Sequence, residues 1–581
     1  MSVLVSKAHT DAYTAVMDAT GRAVAAGTIP AVALPGFKTE VPADRKNGDI
    51  SVNAAMAWAR ELRNAPRKIA EAIVENIQLE DTVFERCEVA GPGFINFYYG
   101  PLFYSQIIED ILEKGNDYGR SAFGGGKKIN VEFVSANPTG PMHMGNARGG
   151  ALGDCLAAVL DFAGYEVSRE FYINDAGNQI EKFALSLDIR YRQLFEGENA
   201  PELPEDSYHG ADIAERAKEF ADVYGDEFIA KSEAERRKAL VDFALPKNIQ
   251  AMKDNLTKYR IEYDTWFCES TLHAGGDIAE VIDILRKNDL AYEKDGALWY
   301  RNSKVLNDRL LRQGKKQEEI DRLELKDEVL IRANGNPTYF AADIAYHRNK
   351  LLTRGFDVAI DIWGADHHGH VARMQGALDA IGLNGDNLDI VLMQLVRLTR
   401  DGEVVRMSKR TGKAITLTDL LEEIPIDAVR FLFNMRDPGS QMEFDLDLAV
   451  EQSSQNPVYY CQYAHARICS ILKKLEEQGI CVRTCTKEEL ALLTADEEIE
   501  LILHLASLTD EIVSAAKNYD PAKITRYAID LATLFHKFYN SCRVNCGEEG
   551  LTQARLNLCL CVKTVLANIL TMFKITVPES M

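Results

Sequence analysis

The chain lacks the features of a secreted or membrane protein. No apolar run follows a basic start, and no window of about twenty residues, the length of a membrane span, is free of charge. The eleven cysteines are scattered, and none belongs to a C-x-x-C pair of the metal-binding or redox type. We therefore expect a cytoplasmic protein with reduced thiols, no signal peptide and no membrane span.

An excess of positive charge is also missing. The chain has 66 Lys and Arg against 88 Asp and Glu, a net charge of -22, which argues against a generic nucleic-acid binder. Clustered basic groups can still hold RNA, because contact with phosphate is local and the Debye length at physiological salt is about 8 Å. Net charge therefore neither predicts nor excludes an RNA partner. The length of 581 residues predicts about three or four domains.

The most informative stretch runs from Lys127 to Leu160 and predicts a strand, a turn and a helix. Residues 129–134 are mostly β-branched or aromatic, the run N-P-T-G-P breaks the strand, and small and apolar residues at helical spacing begin at Ala147. This places His143 and Asn146 at a helix N-terminus, where α/β sheets bind phosphate. The glycine spacing fits neither G-x-G-x-x-G nor a P-loop. The alternative is a structural turn in which the histidine only caps the helix.

A second group of residues suits a guanidinium. Tyr339 and Asp343 lie four apart in a predicted helix and share one face. A planar cation with five donors requires carboxylates, amide oxygens and an aromatic face. Asp343 and Tyr339, with Glu132 and Asn137 at the end of the first strand, supply these groups and a partner for an ammonium. The alternative is that Asp343 is an ordinary surface acid.

Two later stretches also carry candidate chemistry. Residues 356–370 form an apolar strand that ends at Gly364 and is followed by three histidines and Asp366, which leaves a metal site open as an alternative. The segment R-D-G-E-V-V-R-M-S-K-R-T-G-K puts cations on a glycine-flanked loop, which suits a leaving pyrophosphate.

Together these motifs resemble those of arginyl-tRNA synthetases. N-P-T-G-P-M-H-M-G-N is similar to the "HIGH" signature of class I synthetases, and Arg406 to Arg410 is similar to their "KMSKS" loop. E-F-Y-I-N-D-A-G-N-Q-I, the early G-P-G-F-I-N-F run and the helical C-terminal third ending in P-E-S-M also resemble that family.

The resemblance implies an α/β fold built around a Rossmann-like parallel-sheet catalytic core. We expect an N-terminal α+β domain at 1–117 that touches the tRNA elbow, and a catalytic domain at 118–455 with a helical connective insertion at about 191–325. We expect an all-α anticodon-binding bundle at 456–581.

The implied activity is ATP-dependent ligation of L-arginine to tRNA(Arg) through an arginyl adenylate, by a monomer. Mg²⁺ would accompany ATP without a dedicated protein site, and no resident metal is expected. His143, Asn146 and Lys409 would be catalytic. Residues expected at ATP are His143, Gly145, Asn146, Gly364, Asp366, Arg406, Met407, Ser408 and Lys409. Residues expected at arginine are Glu132, Ser135, Asn137, Tyr339, Asp343 and His367. Residues expected at the tRNA are Tyr463, His465, Arg467 and Met581.

Two departures from the family pattern leave rivals open. Asn146 replaces the second signature histidine, and Arg406 and Arg410 replace the first Lys and last Ser of the second signature. One rival is a non-catalytic RNA-binding relative with a decayed site. The other is a synthetase for another amino acid, cysteine or a long cationic one.

Overall fold

A computed structural model describes residues 3–42, 44–405 and 415–581. The first unit is an antiparallel four-stranded sheet, of order β1-β2-β4-β3, packed against helices. Pro66 and Pro101 open two of these helices, at the position where the missing N–H costs nothing. The elements are α1 Val3–Ala25, β1 Thr39–Glu40, β2 Ile50–Val52, α2 Ala54–Trp58, α3 Pro66–Val74, β3 Phe84–Ala90, β4 Phe94–Tyr99 and α4 Pro101–Lys114.

The central half of the chain follows and mixes strands with helices. Its first elements are β5 Lys128–Glu132, α5 Met144–Phe162, β6 Glu166–Ile173, α6 Asn178–Glu196, α7 Ala211–Tyr224, α8 Glu233–Lys258, β7 Thr265–Cys268, α9 Ser270–Gly275, α10 Asp277–Lys287, β8 Ala291–Lys294, β9 Ala297–Tyr300, α11 Asn302–Arg312, α12 Gln317–Asp321 and β10 Glu328–Ile331. Its later elements are α13 Tyr339–Arg348, β11 Val358–Gly364, α14 His368–Ala380, β12 Leu388–Met393, β13 Val396–Arg400, β14 Glu403–Val405, α15 Leu417–Glu423, α16 Ile426–Phe433, β15 Met442–Asp445 and α17 Leu446–Val450. A π-helical turn over Asn349–Thr353 extends α13.

A five-stranded parallel sheet of order β12-β11-β5-β6-β7 forms the centre of this half. The strand earliest in sequence, β5, is central, and the strand order reverses between β5 and β11. In open α/β sheets such a switch point opens a crevice at the carboxyl ends of the strands. The predicted parallel-sheet fold is confirmed.

Helix α5 lies unusually close to the sheet. A Cβ on Gly153 would stand 2.1 Å from the Phe133 ring, and one on Gly150 would stand 2.7 Å from Ile261. Real Cβ contacts are not that short, so position 153 requires glycine beside the base of the Phe133 side chain, whereas a Cβ at position 150 would force the Ile261 side chain to shift. The small residues of the predicted helix therefore set how closely α5 packs on β5.

The predicted helical insertion at 191–325 is only partly helical. Helices α6, α7 and α8 enclose a small core of their own around Phe183, Tyr191 and Phe220. However, β7 is the edge strand of the parallel sheet, and β8, β9 and β10 form a separate antiparallel sheet with β9 in the middle. Each of these strands has only four residues, too few to show alternation between charged helices.

The C-terminal unit is all helix, as predicted, with α18 Pro457–Glu476, α19 Lys487–Leu490, α20 Asp496–Ala506, α21 Leu508–Asn518, α22 Ala522–Ser541 and α23 Glu549–Met572. By length and composition α23 is able to cross a membrane, but 67% of its most apolar window is buried inside the protein. That burial is typical of a core helix, and α23 packs against α4, α18, α19 and α22.

The segment after α23 returns to the central half of the chain and is held there by hydrogen bonds from two arginines. The buried Arg430 donates from Nε to the Phe573 carbonyl at 2.6 Å, and Arg260 donates to the Lys574 carbonyl at 2.7 Å. Lys574 also reaches Asp154 in the middle of α5, at 3.1 Å. The helix that begins at the predicted phosphate site is thus bonded to the end of the bundle.

Candidate active site

His143 and Asn146 are held in one geometry at the start of α5. His143 is the N-cap residue, and its backbone N–H donates to Asn146 Oδ1 at 3.0 Å. The amide oxygen is therefore used within the cap, and the amide nitrogen is left as the donor that Asn146 can offer to a ligand. The His143 side chain is exposed, and so is Gly145 in the first turn.

A cavity of about 540 Å³ lies in front of this helix end. It brings together four of the residues predicted from sequence, Ser135, Asn137, His143 and Asn146. Its opposite wall comes from the insertion, through Tyr208, Gly210, Asp212 and Ile213 at the start of α7. Helix α8 fixes the turn itself, because Asn248 Nδ2 donates to the Pro138 carbonyl at 3.0 Å. The contribution of α7 was not visible in the sequence.

The second signature, Arg406, Met407, Ser408, Lys409 and Arg410, lies outside the described residues. The described chain resumes at Ile415 and is bonded there to the first signature. The Met144 N–H donates to the Ile415 carbonyl at 3.1 Å, and the Leu417 N–H donates to the Met142 carbonyl at 2.9 Å. His143 and Thr416 thus form an antiparallel bridge.

A row of three carboxylates crosses the sheet below the cavity. Asp361 on β11 and Glu170 on β6 are the register partners of Glu132 on β5, so the three lie side by side. All three are buried. Like charges at this spacing require counter-charges, and these come from α13 and the turns after it: His347, Lys350 and Arg354. The neutral Tyr346 hydroxyl adds a hydrogen bond to Glu170 at 2.6 Å.

Lys350 lies between two of the acids. Its Nζ is 2.5 Å from Glu132 Oε2 and 2.8 Å from Asp361 Oδ1, and its side chain has no exposed area. Burial alone lowers the pKa of Lys350, but Asp361 and Glu132 outweigh it, so the pKa is raised and the amine stays charged. For Asp361, burial opposes ionisation while Lys350 and His347 favour it, and the pKa is lowered.

Glu132 was predicted to bind arginine's ammonium, and the structure gives it protein partners. Besides Lys350, its Oε2 accepts from the Tyr346 hydroxyl at 2.8 Å, and its Oε1 accepts from Ser135 Oγ at 2.9 Å. Burial raises the pKa of this carboxyl, against the opposing effect of Lys350. Ser135, which also lines the cavity, connects Glu132 to the ligand space.

Asp343 and Tyr339 lie on the first turns of α13, as predicted. Their exposed fractions are 36% for the Asp343 side chain and 38% for Tyr339, so both are open to a ligand. His370 Nε2 lies 3.3 Å from Asp343 Oδ2. The predicted His367 instead is 61% exposed, and its ion-pair contact is with Asp366 at 3.6 Å. The histidine that meets Asp343 is therefore one helical turn from the predicted one.

The metal alternative involved this same stretch. Gly364 ends β11, and Asp366 and His368 are exposed beyond it. Within the described ranges, no group of three or more His, Cys, Asp or Glu side chains is placed to hold a metal ion.

Glu269, directly after β7, was missed. It is 3% exposed and faces Tyr172 and His273, whose Nε2 is 3.4 Å from Glu269 Oε1. Burial raises the pKa of its carboxyl, and the nearby charge of Asp343 adds to that effect. The buried Glu269 and the partly exposed Asp343 together offer two carboxylates, which suits a guanidinium. The sequence around it, F-C-E-S, has no motif that would have identified it.

In the C-terminal bundle the predicted tRNA residues separate into two groups. Tyr463 and Arg467 line a pocket of about 450 Å³, together with Ser454, Tyr459, Tyr460, His536 and Asn540. His465 lies on another face of α18, is 2% exposed, and contacts the Pro578 carbonyl through Nδ1 at 2.8 Å. Met581 is 51% exposed.

Comparisons with known proteins cover the whole chain. Family profiles match residues 15–99 (arginyl tRNA synthetase N terminal domain), 107–468 (tRNA synthetases class I (R), catalytic domain) and 461–581 (DALR anticodon binding domain). The arginine–tRNA ligase of Caldanaerobacter subterraneus subsp. tengcongensis is 52% identical over 100% of both chains, and that of Ruminiclostridium cellulolyticum is 50% identical over 98% of both. The solved arginyl-tRNA synthetase of Thermus thermophilus shares the fold, with a TM-score of 0.70 at 22% identity, over 98% of this chain and 100% of that one.

Proposed function

Because the chain belongs to the arginyl-tRNA synthetase family, it is a class I arginine–tRNA ligase, and we propose that arginine meets ATP in the cavity before α5. The observation that carries this proposal is the backbone bridge between His143 and Thr416. It joins the helix end that suits a phosphate to the chain that follows the second signature. The phosphate-binding end of α5 is thereby joined to the chain at residues 415–417, which follows the cationic signature in sequence.

In the first step an arginine carboxylate oxygen attacks the α-phosphorus of ATP. A new P–O bond forms, the bond from the α-phosphorus to the bridging oxygen breaks, and pyrophosphate leaves with the electron pair. The carboxylate is already ionised and needs no base, so catalysis is mainly positioning and charge stabilisation. His143, the Asn146 amide nitrogen and the α5 N-terminus face the α-phosphate.

The leaving pyrophosphate gains negative charge as the bond breaks, and we assign it to Lys409 with Arg406, Met407 and Ser408. Gly145, Gly364 and Asp366 complete the nucleotide site in this proposal. Mg²⁺ enters with ATP as part of the substrate, bound through the phosphates. In the second step the terminal adenosine's 2'-hydroxyl oxygen attacks the arginyl carbonyl carbon and gives up its proton to solvent. The bond from that carbon to the phosphate oxygen breaks, AMP leaves with the electron pair, and the ester remains.

For arginine itself we propose two anchors. Asp343, with Tyr339 and Glu269, receives the guanidinium, because two acids and an aromatic ring meet there. Glu132, through Ser135 and with Asn137, faces the ammonium. This arrangement opposes a cysteine substrate, which has no side-chain cation for Asp343 and Glu269. His367 stays a prediction for the same pocket.

The test is ATP–pyrophosphate exchange with each of the twenty amino acids, run with and without total tRNA. Exchange with arginine supports the proposal, and its appearance only in the tRNA arm would show that tRNA completes the site. No exchange in either arm, with tRNA still retained by the protein, would favour the non-catalytic relative. In that case Asn146→His is the first reversion to make.

Asp343→Asn is expected to raise the KM for arginine at least about tenfold, because a charge-assisted hydrogen bond to the guanidinium is lost. The measurement is arginine dependence of exchange at saturating ATP and tRNA. Asp283→Asn, at an exposed position on α10, is the matched control. An unchanged arginine dependence in the Asp343 variant would move the guanidinium site elsewhere.

Tyr463→Ala is expected to raise the KM for tRNA about fivefold to a hundredfold, on the scale of one lost base–aromatic stack. Arg467→Ala should act in the same direction, because Arg467 lines the same pocket. Aminoacylation with increasing tRNA gives the constants. Tyr224→Ala, an equally exposed tyrosine on the insertion, is the control. Equal effects from the control would remove the pocket from tRNA binding.

We further propose that the protein acts in the cytoplasm as a monomer, with tRNA(Arg) as its only macromolecular substrate. His465 supports the pocket from behind by holding the segment at Pro578, and Met581 stays a predicted contact to the tRNA. Light scattering at working concentration tests the monomer.

A further inference from the structure

A continuous line of buried contacts joins the two proposed arginine anchors. It runs from Glu132 Oε2 to Lys350 Nζ (2.5 Å), to Asp361 (2.8 Å), to His347 Nε2 (2.7 Å), and from His347 Nδ1 to the backbone carbonyl of Asp343 (2.7 Å). The three connecting side chains are each at most 3% exposed. No bound molecule is needed to complete this line.

His347 must carry a proton on both ring nitrogens. Its Nδ1 meets a carbonyl oxygen and its Nε2 meets a carboxylate, and neither of these groups can donate. The imidazole is therefore an imidazolium. With Lys350 and Arg354 it supplies three cations against the three carboxylates of the row, so the buried network is neutral as a whole.

The network also fixes the distance between the two proposed anchors, Glu132 and Asp343. Glu132 ends β5, whereas Asp343 belongs to α13, so the gap between the anchors depends on how close α13 stands to the sheet. Lys350 and His347 project from α13 and its π-helical extension onto the strands. These buried ion pairs oppose any movement of α13 relative to the sheet, because a shift would leave a buried charge without its partner.

We propose that Lys350, Asp361 and His347 act as a spacer that selects the length of the cationic amino acid. This rests on the proposed assignment of Glu132 and Asp343 as the anchors. The spacer residues are positioning residues and do not touch the substrate. An amino acid whose side chain is one methylene longer than that of arginine can place its ammonium at Glu132 only by displacing its guanidinium from Asp343. Such a mismatch lowers kcat/KM about 10- to 200-fold.

The experiment compares kcat/KM for L-arginine and L-homoarginine in pyrophosphate exchange with saturating tRNA. Lys350→Arg keeps the charge but lengthens the spacer, which moves α13 outward. We expect this variant to lower the arginine-to-homoarginine ratio about tenfold, mainly through the two KM values. Asp361→Asn keeps the shape while removing one charge of the line, and we expect a smaller fall in the same ratio.

Arg348→Lys is the matched control, because Arg348 lies between the spacer residues on α13 but pairs with Glu280 outside the network, at 2.6 Å. It should leave the ratio unchanged. The inference is overturned if both spacer variants reduce the two kcat/KM values equally, or if the control shifts the ratio as much. If Lys350→Arg does not fold, the isosteric Asp361→Asn decides alone. Failure of the wild type to activate arginine would refute the proposed function, whereas wild-type activity with constant ratios refutes only the spacer.

Discussion

Arg430→Ala is expected to lower the free energy of unfolding by about 3–5 kcal/mol, the cost of removing one partner of a buried ion pair. Arg430 has no exposed area and donates to Asp154 Oδ2 at 2.5 Å, to the Tyr259 carbonyl at 3.0 Å and to the Phe573 carbonyl at 2.6 Å. Without it, Asp154 keeps only the partly exposed Arg169 and Lys574, and two buried carbonyls lose a donor. Urea unfolding followed by circular dichroism measures the change.

Arg436→Ala is the matched control, three residues after α16 and exposed. We expect it to change the free energy of unfolding by less than about 0.5 kcal/mol. Arg430→Lys keeps one donor and the charge and should recover part of the loss. If Arg430→Ala unfolds at the wild-type urea concentration, the interface between α5, α16 and the segment after α23 contributes little to stability.

His143→Ala is expected to lower the turnover of pyrophosphate exchange at least about a hundredfold, the scale of losing one transition-state donor. The arginine KM should stay close to its wild-type value, because His143 lines the cavity at the α5 N-terminus, where we propose that the α-phosphate of ATP binds. The measurement is exchange at saturating arginine, ATP and tRNA. Lys409→Ala is expected to have a similar effect, on the sequence alone.

His143→Gln serves as the rescue variant, because its amide offers a neutral donor at nearly the same place. Partial recovery would identify hydrogen bonding as the role of His143. A His143→Ala enzyme with wild-type turnover would remove His143 from the mechanism and leave the α5 N-terminus as the phosphate site.

The strand, turn and helix around His143 were predictable because local chemistry determines them. β-branched residues, then Pro and Gly, then small helix formers each agree with the structure that follows. The same holds for α13, where Thr338 caps the helix that begins at Tyr339. At these places the local propensities of the residues match the secondary structure that the fold contains.

What the sequence did not reveal depends on long-range register. Lys350 lies 218 residues after Glu132 in the chain, and nothing local to either indicates their ion pair. Whether His367 or His370 meets Asp343 depends on the rotation of α14. His465 was grouped with Tyr463 and Arg467 by proximity in sequence, but two residues along a helix turn a side chain away from its neighbours' face.

The contact between Arg430 and Phe573 also has a consequence for folding during synthesis on the ribosome. Domains generally fold from the N-terminus as the chain emerges, yet the Phe573 carbonyl is made 143 residues after Arg430. Lys574, which neutralises Asp154 in α5, follows Asp154 by 420 residues. Until the anticodon-binding bundle has been translated, the buried Arg430 therefore lacks one of its carbonyl acceptors. A nascent chain that stops inside α23 lacks the contacts of Phe573 and Lys574, so we expect α16 and α5 to gain their full set of partners only after the bundle has been made.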